Sequence, residues 1–96
     1  MHMSDLIPKT ELNSWIKKIP EWDLDETSIS RTVEFDSFME AIDFVNDVAE
    51  IAEEAAHHPD MDIRHMRVTL TLTTHDKGGL TERDFEMAGR IDTLID

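Results

Sequence analysis

Residues 29–56 read ISRTVEFDSFMEAIDFVNDVAEIAEEAA, and the spacing of apolar side chains changes once within them. Up to Phe35 the pattern alternates, with Ile29, Arg31, Val33 and Phe35 against Ser30, Thr32 and Glu34, the period of a half-buried strand. From Asp36 onward Phe38, Ile42, Val45, Ala49, Ala52 and Ala56 recur at steps of three and four, which is one face of a long α-helix. A second row, Ala41, Phe44, Val48, Ile51 and Ala55, widens that stripe beyond what one sheet face needs and predicts a contact with another subunit.

Downstream, Pro59 is expected to stop this helix just after His57 and His58, because it lacks the donor for the next hydrogen bond and disfavours helical geometry at the residue before it. Arg67 to His75 is the clearest strand, with Val68, Leu70 and Leu72 on one face and Thr69, Thr71 and Thr73 on the other; a shorter strand over Asp62–Met66 precedes it. Asp76-Lys77-Gly78-Gly79 reads as a turn leading to a last helix. Thr81 is its expected N-cap, with Asp84 three positions on, Leu80 facing Phe85, and Met87, Ala88, Ile91, Leu94 and Ile95 on the buried side.

Upstream, Trp22 to Asp25 and Ile29 to Phe35 are two strands joined by a turn near Asp25–Ser28. A short helix over Glu11–Lys18 takes Thr10 as N-cap, presents Leu12, Trp15 and Ile16, and ends before Pro20. The sum is one α+β domain over residues 1–96, a four-stranded antiparallel sheet with three helices packed on one face, and residues 1–4 loose.

Ninety-six residues leave no room for a separate cofactor domain. Asp and Glu outnumber Lys and Arg by 22 to 9, a formal charge of −13 that repels nucleic-acid phosphates and anionic membranes. The same acidity, with only Lys9, Lys17, Lys18 and Lys77 as lysines, is what a salt-adapted organism would use to keep a protein in solution. The sequence has no Cys, no apolar run of membrane-spanning length and no signal-peptide pattern at its start, so a cytoplasmic location is expected. Phosphate-cradling glycine motifs and a serine nucleophile elbow are absent as well.

Four of the five histidines fall between residues 57 and 75. Imidazole both gives and takes a proton near neutral pH, so such a cluster is a candidate acid/base site. Plainer roles compete: His57 and His58 could cap the carbonyls of a helix end, His75 could be a surface residue beside a turn, Asp84 a capping residue and Glu53 part of an acidic helix face. A metal site is not expected, since adjacent histidines on a helix diverge by about 100° and no H-E-x-x-H pattern occurs.

Glu53-Glu54-Ala55-Ala56-His57-His58-Pro59-Asp60, followed by Val68-Thr69-Leu70-Thr71-Leu72-Thr73-Thr74-His75-Asp76-Lys77-Gly78-Gly79-Leu80-Thr81-Glu82-Arg83-Asp84, resembles the pterin-4a-carbinolamine dehydratases. The similarity covers roughly residues 10 to 95. It implies dehydration of a 4a-hydroxytetrahydropterin to the quinonoid dihydropterin in tetrahydrobiopterin recycling, without metal or organic cofactor, by a homodimer or homotetramer. It also implies catalytic roles for His57, His58 and His75, and acidic site residues at Glu53 and Asp84. Asp60, Met61 and Thr74 complete the expected substrate contacts. Met61 and His65 stand where many members carry aromatics, which implies either a pocket retuned for a related ring or a Met that simply fills the same gap. His65 is either a fourth pocket residue or, as favoured here, a strand-surface residue.

Two other functions stay open on the same residues. A non-catalytic interaction module of the transcriptional coactivator type would use the wide apolar stripe of the long helix. A pterin-binding protein without turnover would use the pocket alone.

Overall fold

The computed structural model describes residues 5–95; the expected loose start at 1–4 lies outside them. Four antiparallel strands form one sheet: β1 (Asp23–Leu24), β2 (Ile29–Glu34), β3 (Asp60–Arg64) and β4 (Arg67–Leu72), in the order β1-β2-β4-β3. Alternation does what the sequence promised. Ile29 and Val33 of β2 and Val68, Leu70 and Leu72 of β4 point to one side and are buried, while Thr32 and Thr69 pair across the other, their hydroxyls 2.8 Å apart.

Three helices cover the apolar side: α1 (Leu12–Ile16), α2 (Phe38–Ala55) and α3 (Glu82–Ile95). Helix α2 packs on α3 and on β4. Its second apolar row is the inner one: Ala41, Phe44 and Val48, joined by Ala52, are buried, whereas Phe38 is 53% exposed and Ile42, Val45 and Ala49 only half-buried. Ser37 starts the helix, its hydroxyl accepting from the Glu40 amide at 3.1 Å. Trp15 of α1 leans on Phe85 of α3, ring centroids 5.4 Å apart. At the other end of α3, Asp92 Oδ1 accepts from Trp22 Nε1 at 2.8 Å and Arg31 Nη1 at 2.5 Å, tying the helix to the β1–β2 edge.

Several boundaries differ from expectation. Thr10 is no N-cap; it lies inside a 3₁₀ turn over Lys9–Glu11, and α1 begins at Leu12 without a side-chain cap. That helix ends at Ile16, where Lys18 and Ile19 amides tighten onto the carbonyls three residues back, four residues short of Pro20. Helix α2 stops at Ala55, not at Pro59. Ala56 turns left-handed at φ 53°, its amide donates to Glu53 O at 3.3 Å, and the His57 amide reaches Ala52 O at 3.1 Å, a Schellman closure. His57 and His58 therefore sit beyond the helix, and among the described residues neither ring hydrogen-bonds its last carbonyls.

The hairpin of β3 and β4 is also shifted. β3 starts at Asp60 and ends at Arg64, and β4 ends at Leu72, short of His75. His65 is not a strand residue: it turns the hairpin at φ 55°, exposed, at the far end from Asp60. Past β4, Thr74 N–H bonds Gly79 O at 2.9 Å, closing a loop whose His75–Lys77 segment is a 3₁₀ turn and whose Gly78 adopts φ 70°.

Candidate active site

The β3–β4 register explains how distant histidines meet. Asp60 pairs with Thr71, and carrying that antiparallel register outward sets residues 58 and 57 level with 73 and 74. The chain leaving α2 and the chain leaving β4 thus run side by side, and the first turn of α3 closes over them. Between the three segments lies a cavity of about 210 Å³, lined by His57, His58, Thr73, Thr74, His75 and Asp76, with Ala56 and Arg83 at its wall.

The three imidazoles differ in setting. His57 is 8% exposed and its Nε2 lies 2.5 Å from Oδ1 of Asp84, a carboxylate with no exposed surface. Asp84 Oδ2 accepts from the Thr74 hydroxyl and from the Thr81 amide, each at 2.9 Å, and the two threonine hydroxyls are 2.8 Å apart. Among the described residues no buried side-chain nitrogen or oxygen is left without a hydrogen-bond partner, as burial requires. His58, in contrast, is exposed, with Nε2 3.6 Å from Glu53 Oε1, too far for a hydrogen bond. His75, also exposed, is held on the 3₁₀ turn.

The residues expected at the site divide accordingly. His57, His58, His75 and Thr74 line the cavity, and Asp84 stands behind His57. Glu53 lies on the outer face of α2, bordering the cavity only through His58. Asp60 is exposed on β3, and Met61, opposite Leu70, packs against the core instead of lining the cavity, because alternation along β3 turns it inward. His65 is not among the lining residues.

Arg83, Asp76 and Thr73 were not singled out from the sequence. Thr73 donates to Thr27 O at 2.6 Å, and Arg83 Nη2 donates to Ala55 O at 3.2 Å and to Ala56 O at 2.8 Å. The resemblance over residues 68–84 and the Thr81-x-x-Asp84 spacing pointed to this region. The spacing located the carboxylate near a helix start, and Asp84 was expected to orient a ring, but which histidine it holds was not legible.

Chemically, the arrangement offers a shielded imidazole anchored by a carboxylate and two wetter ones facing the same space, a set suited to moving protons on a bound small molecule. Among the described residues, no group of three or more His, Cys, Asp or Glu side chains is disposed to share a metal ion, and no helix is long and apolar enough to cross a membrane.

Comparison with known proteins bears on this site. The family described as Pterin 4 alpha carbinolamine dehydratase matches residues 5–94. A protein of Acidobacterium capsulatum, named provisionally as a pterin-4-alpha-carbinolamine dehydratase, is 52% identical over 97% of this chain and 100% of its own length. Among solved structures, a transcriptional coactivator/pterin dehydratase from Brucella melitensis superposes with a TM-score of 0.90 at 30% identity, covering 96% of this chain and all of the other. A pterin dehydratase-like protein identified as a RuBisCO assembly factor in the alpha-carboxysome shares the fold, with a TM-score of 0.63 at 23% identity over 76% of this chain and 84% of the other.

Proposed function

The chain belongs to the pterin 4 alpha carbinolamine dehydratase family, and on that premise we propose that it removes water from a 4a-hydroxytetrahydropterin by histidine acid/base catalysis, in tetrahydrobiopterin recycling. The observation that carries this is the convergence of His57, His58 and His75 on one cavity, with His57 backed by buried Asp84. Loss of the 4a hydroxyl as water needs a proton delivered to the departing oxygen. Formation of the quinonoid ring needs a proton taken from a ring nitrogen, so the two transfers balance. Imidazoles at two places around one ring serve both parts. Glu53, Asp60, Met61 and Thr74 complete the proposed substrate-binding set: Thr74 lines the cavity, Glu53 borders it through His58, and Asp60 and Met61 stand on β3 beside its lining residues.

The test is dehydration of a synthetic 4a-hydroxytetrahydropterin followed by absorbance. Wild type should turn over, and His58→Ala and His75→Ala should each lose roughly 10²-fold or more in kcat. Equal rates for the three proteins would defeat the assignment.

The row Phe38, Ile42, Val45 and Ala49 on α2, exposed at Phe38 and half-buried beyond it, supports a homodimer or homotetramer, and a cytoplasmic location is part of the same proposal. The same row is what favours a second function, a coactivator-like interaction module without turnover. Light scattering on the pure protein separates the two: a stable oligomer with that row covered leaves it closed to an outside partner.

A further inference from the structure

The hydrogen bonds behind His57 have a direction. Backbone amides only donate, so Arg83 N–H gives to Thr81 Oγ1 at 3.3 Å and Thr81 N–H gives to Asp84 Oδ2 at 2.9 Å. Thr74 gives its single hydroxyl proton to the same Oδ2. The Thr74–Thr81 contact must then run from the Thr81 hydroxyl to the Thr74 oxygen. With two donors on Oδ2, the oxygen left for the ring is Oδ1, 2.5 Å from His57 Nε2, and a carboxylate oxygen there accepts only if the proton is on Nε2. Thr81 is 0% and Thr74 5% exposed, so no bulk water replaces these donors. Nδ1 of His57 forms no hydrogen bond among the described residues, while no buried side-chain nitrogen or oxygen there lacks a partner. Nδ1 is therefore the ring atom open to the cavity that His57 lines.

We propose that Thr74 and Thr81 are positioning residues for the dehydration: with Asp84 they hold His57 as the Nε2–H tautomer, which makes Nδ1 the atom that exchanges a proton with substrate. This rests on the function proposed above and adds to it which ring nitrogen reacts and what fixes it. A purely structural role for the threonines, capping α3 and closing the loop after β4, would cost stability and leave the tautomer unchanged.

The experiment is nitrogen-15 NMR of histidine-labelled protein, recorded where the rings are neutral, alongside steady-state kinetics of the folded protein. In wild type the His57 proton should sit on Nε2. Thr74→Val, which keeps the shape and removes the donor, should give a mixture of tautomers and lower kcat by about tenfold with little change in KM, a fraction of the 10²–10⁴ a positioned acid or base contributes. Thr74→Ser should restore both. Thr81→Ala keeps the amide donor and loses only the hydroxyl, so a smaller change in the same direction is expected, and it serves if Thr74→Val does not fold. An Nδ1–H ring in wild type, or variants with wild-type spectra and wild-type kcat, would overturn the proposal. The two levels separate cleanly: absence of dehydration by wild type defeats the function, whereas normal turnover with an Nδ1–H ring defeats only the positioning role.

Discussion

The guanidinium of Arg83 lies 2.8 Å from the carbonyl oxygen of Ala56, so the first turn of α3 holds the end of α2 in place. A second bond from the same Nη2 reaches Ala55 O. These carbonyls belong to a helix end that has no further helical partner, and a cation is the donor best suited to them. Arg83→Met keeps the aliphatic packing and removes both bonds. Stability should fall by about 1–2 kcal/mol in urea denaturation, and kcat should fall severalfold because His57 and His58 hang from that turn. Unchanged stability would show that the bond contributes nothing.

Ala56 itself sits at φ 53°, where a β-carbon is crowded against the backbone. Ala56→Gly should therefore raise stability by about 0.5–1 kcal/mol, the reverse of the usual glycine effect inside a helix. Thermal and denaturant midpoints check it.

Asp84→Asn replaces an acceptor of three hydrogen bonds by an amide that must present a donor to one of its three partners. A loss of about 1–3 kcal/mol is expected for the mismatched buried contact, together with a loss of roughly 10²-fold in kcat from the misplaced His57 ring. Denaturation and steady-state kinetics on the same preparation give both numbers.

Asp92→Ala removes the shared acceptor of Trp22 Nε1 and Arg31 Nη1. The indole is buried and finds no replacement, so about 1–3 kcal/mol should be lost and the emission of Trp22 should shift as the β1–β2 edge loosens from α3. Asp92→Asn, which keeps an oxygen in place, should lose less.

The elements that were legible in the sequence are those whose pattern is local. Ile29 to Glu34 and Arg67 to Leu72 alternate because one face of each strand meets the helices, and α3 begins where its Thr81 and Asp84 capping residues put it. The end of α2 was missed because it is decided elsewhere. Alanine has no preference for the left-handed conformation, and Ala56 adopts it under bonds supplied in part by Arg83, 27 residues away. His65 was placed in a strand because the expected strand ran on to Met66, but the tight hairpin needed a positive φ at that position. At the site, the spacing of His57, His58 and His75 suggested shared chemistry without showing proximity. What brings them together is the β3–β4 register, a non-local pairing invisible to composition. Met61 lay outside the strand expected over Asp62–Met66, so no alternation was applied to it; β3 begins at Asp60, and its alternation turns Met61 toward the core.

Asp84 closes the start of α3 with one oxygen and fastens an imidazole with the other. Engineers screening libraries by melting temperature alone would find this codon intolerant and file it as scaffold. Heat resistance and turnover would fall together there, so a thermal screen of this molecule would conserve its chemistry without ever having measured it.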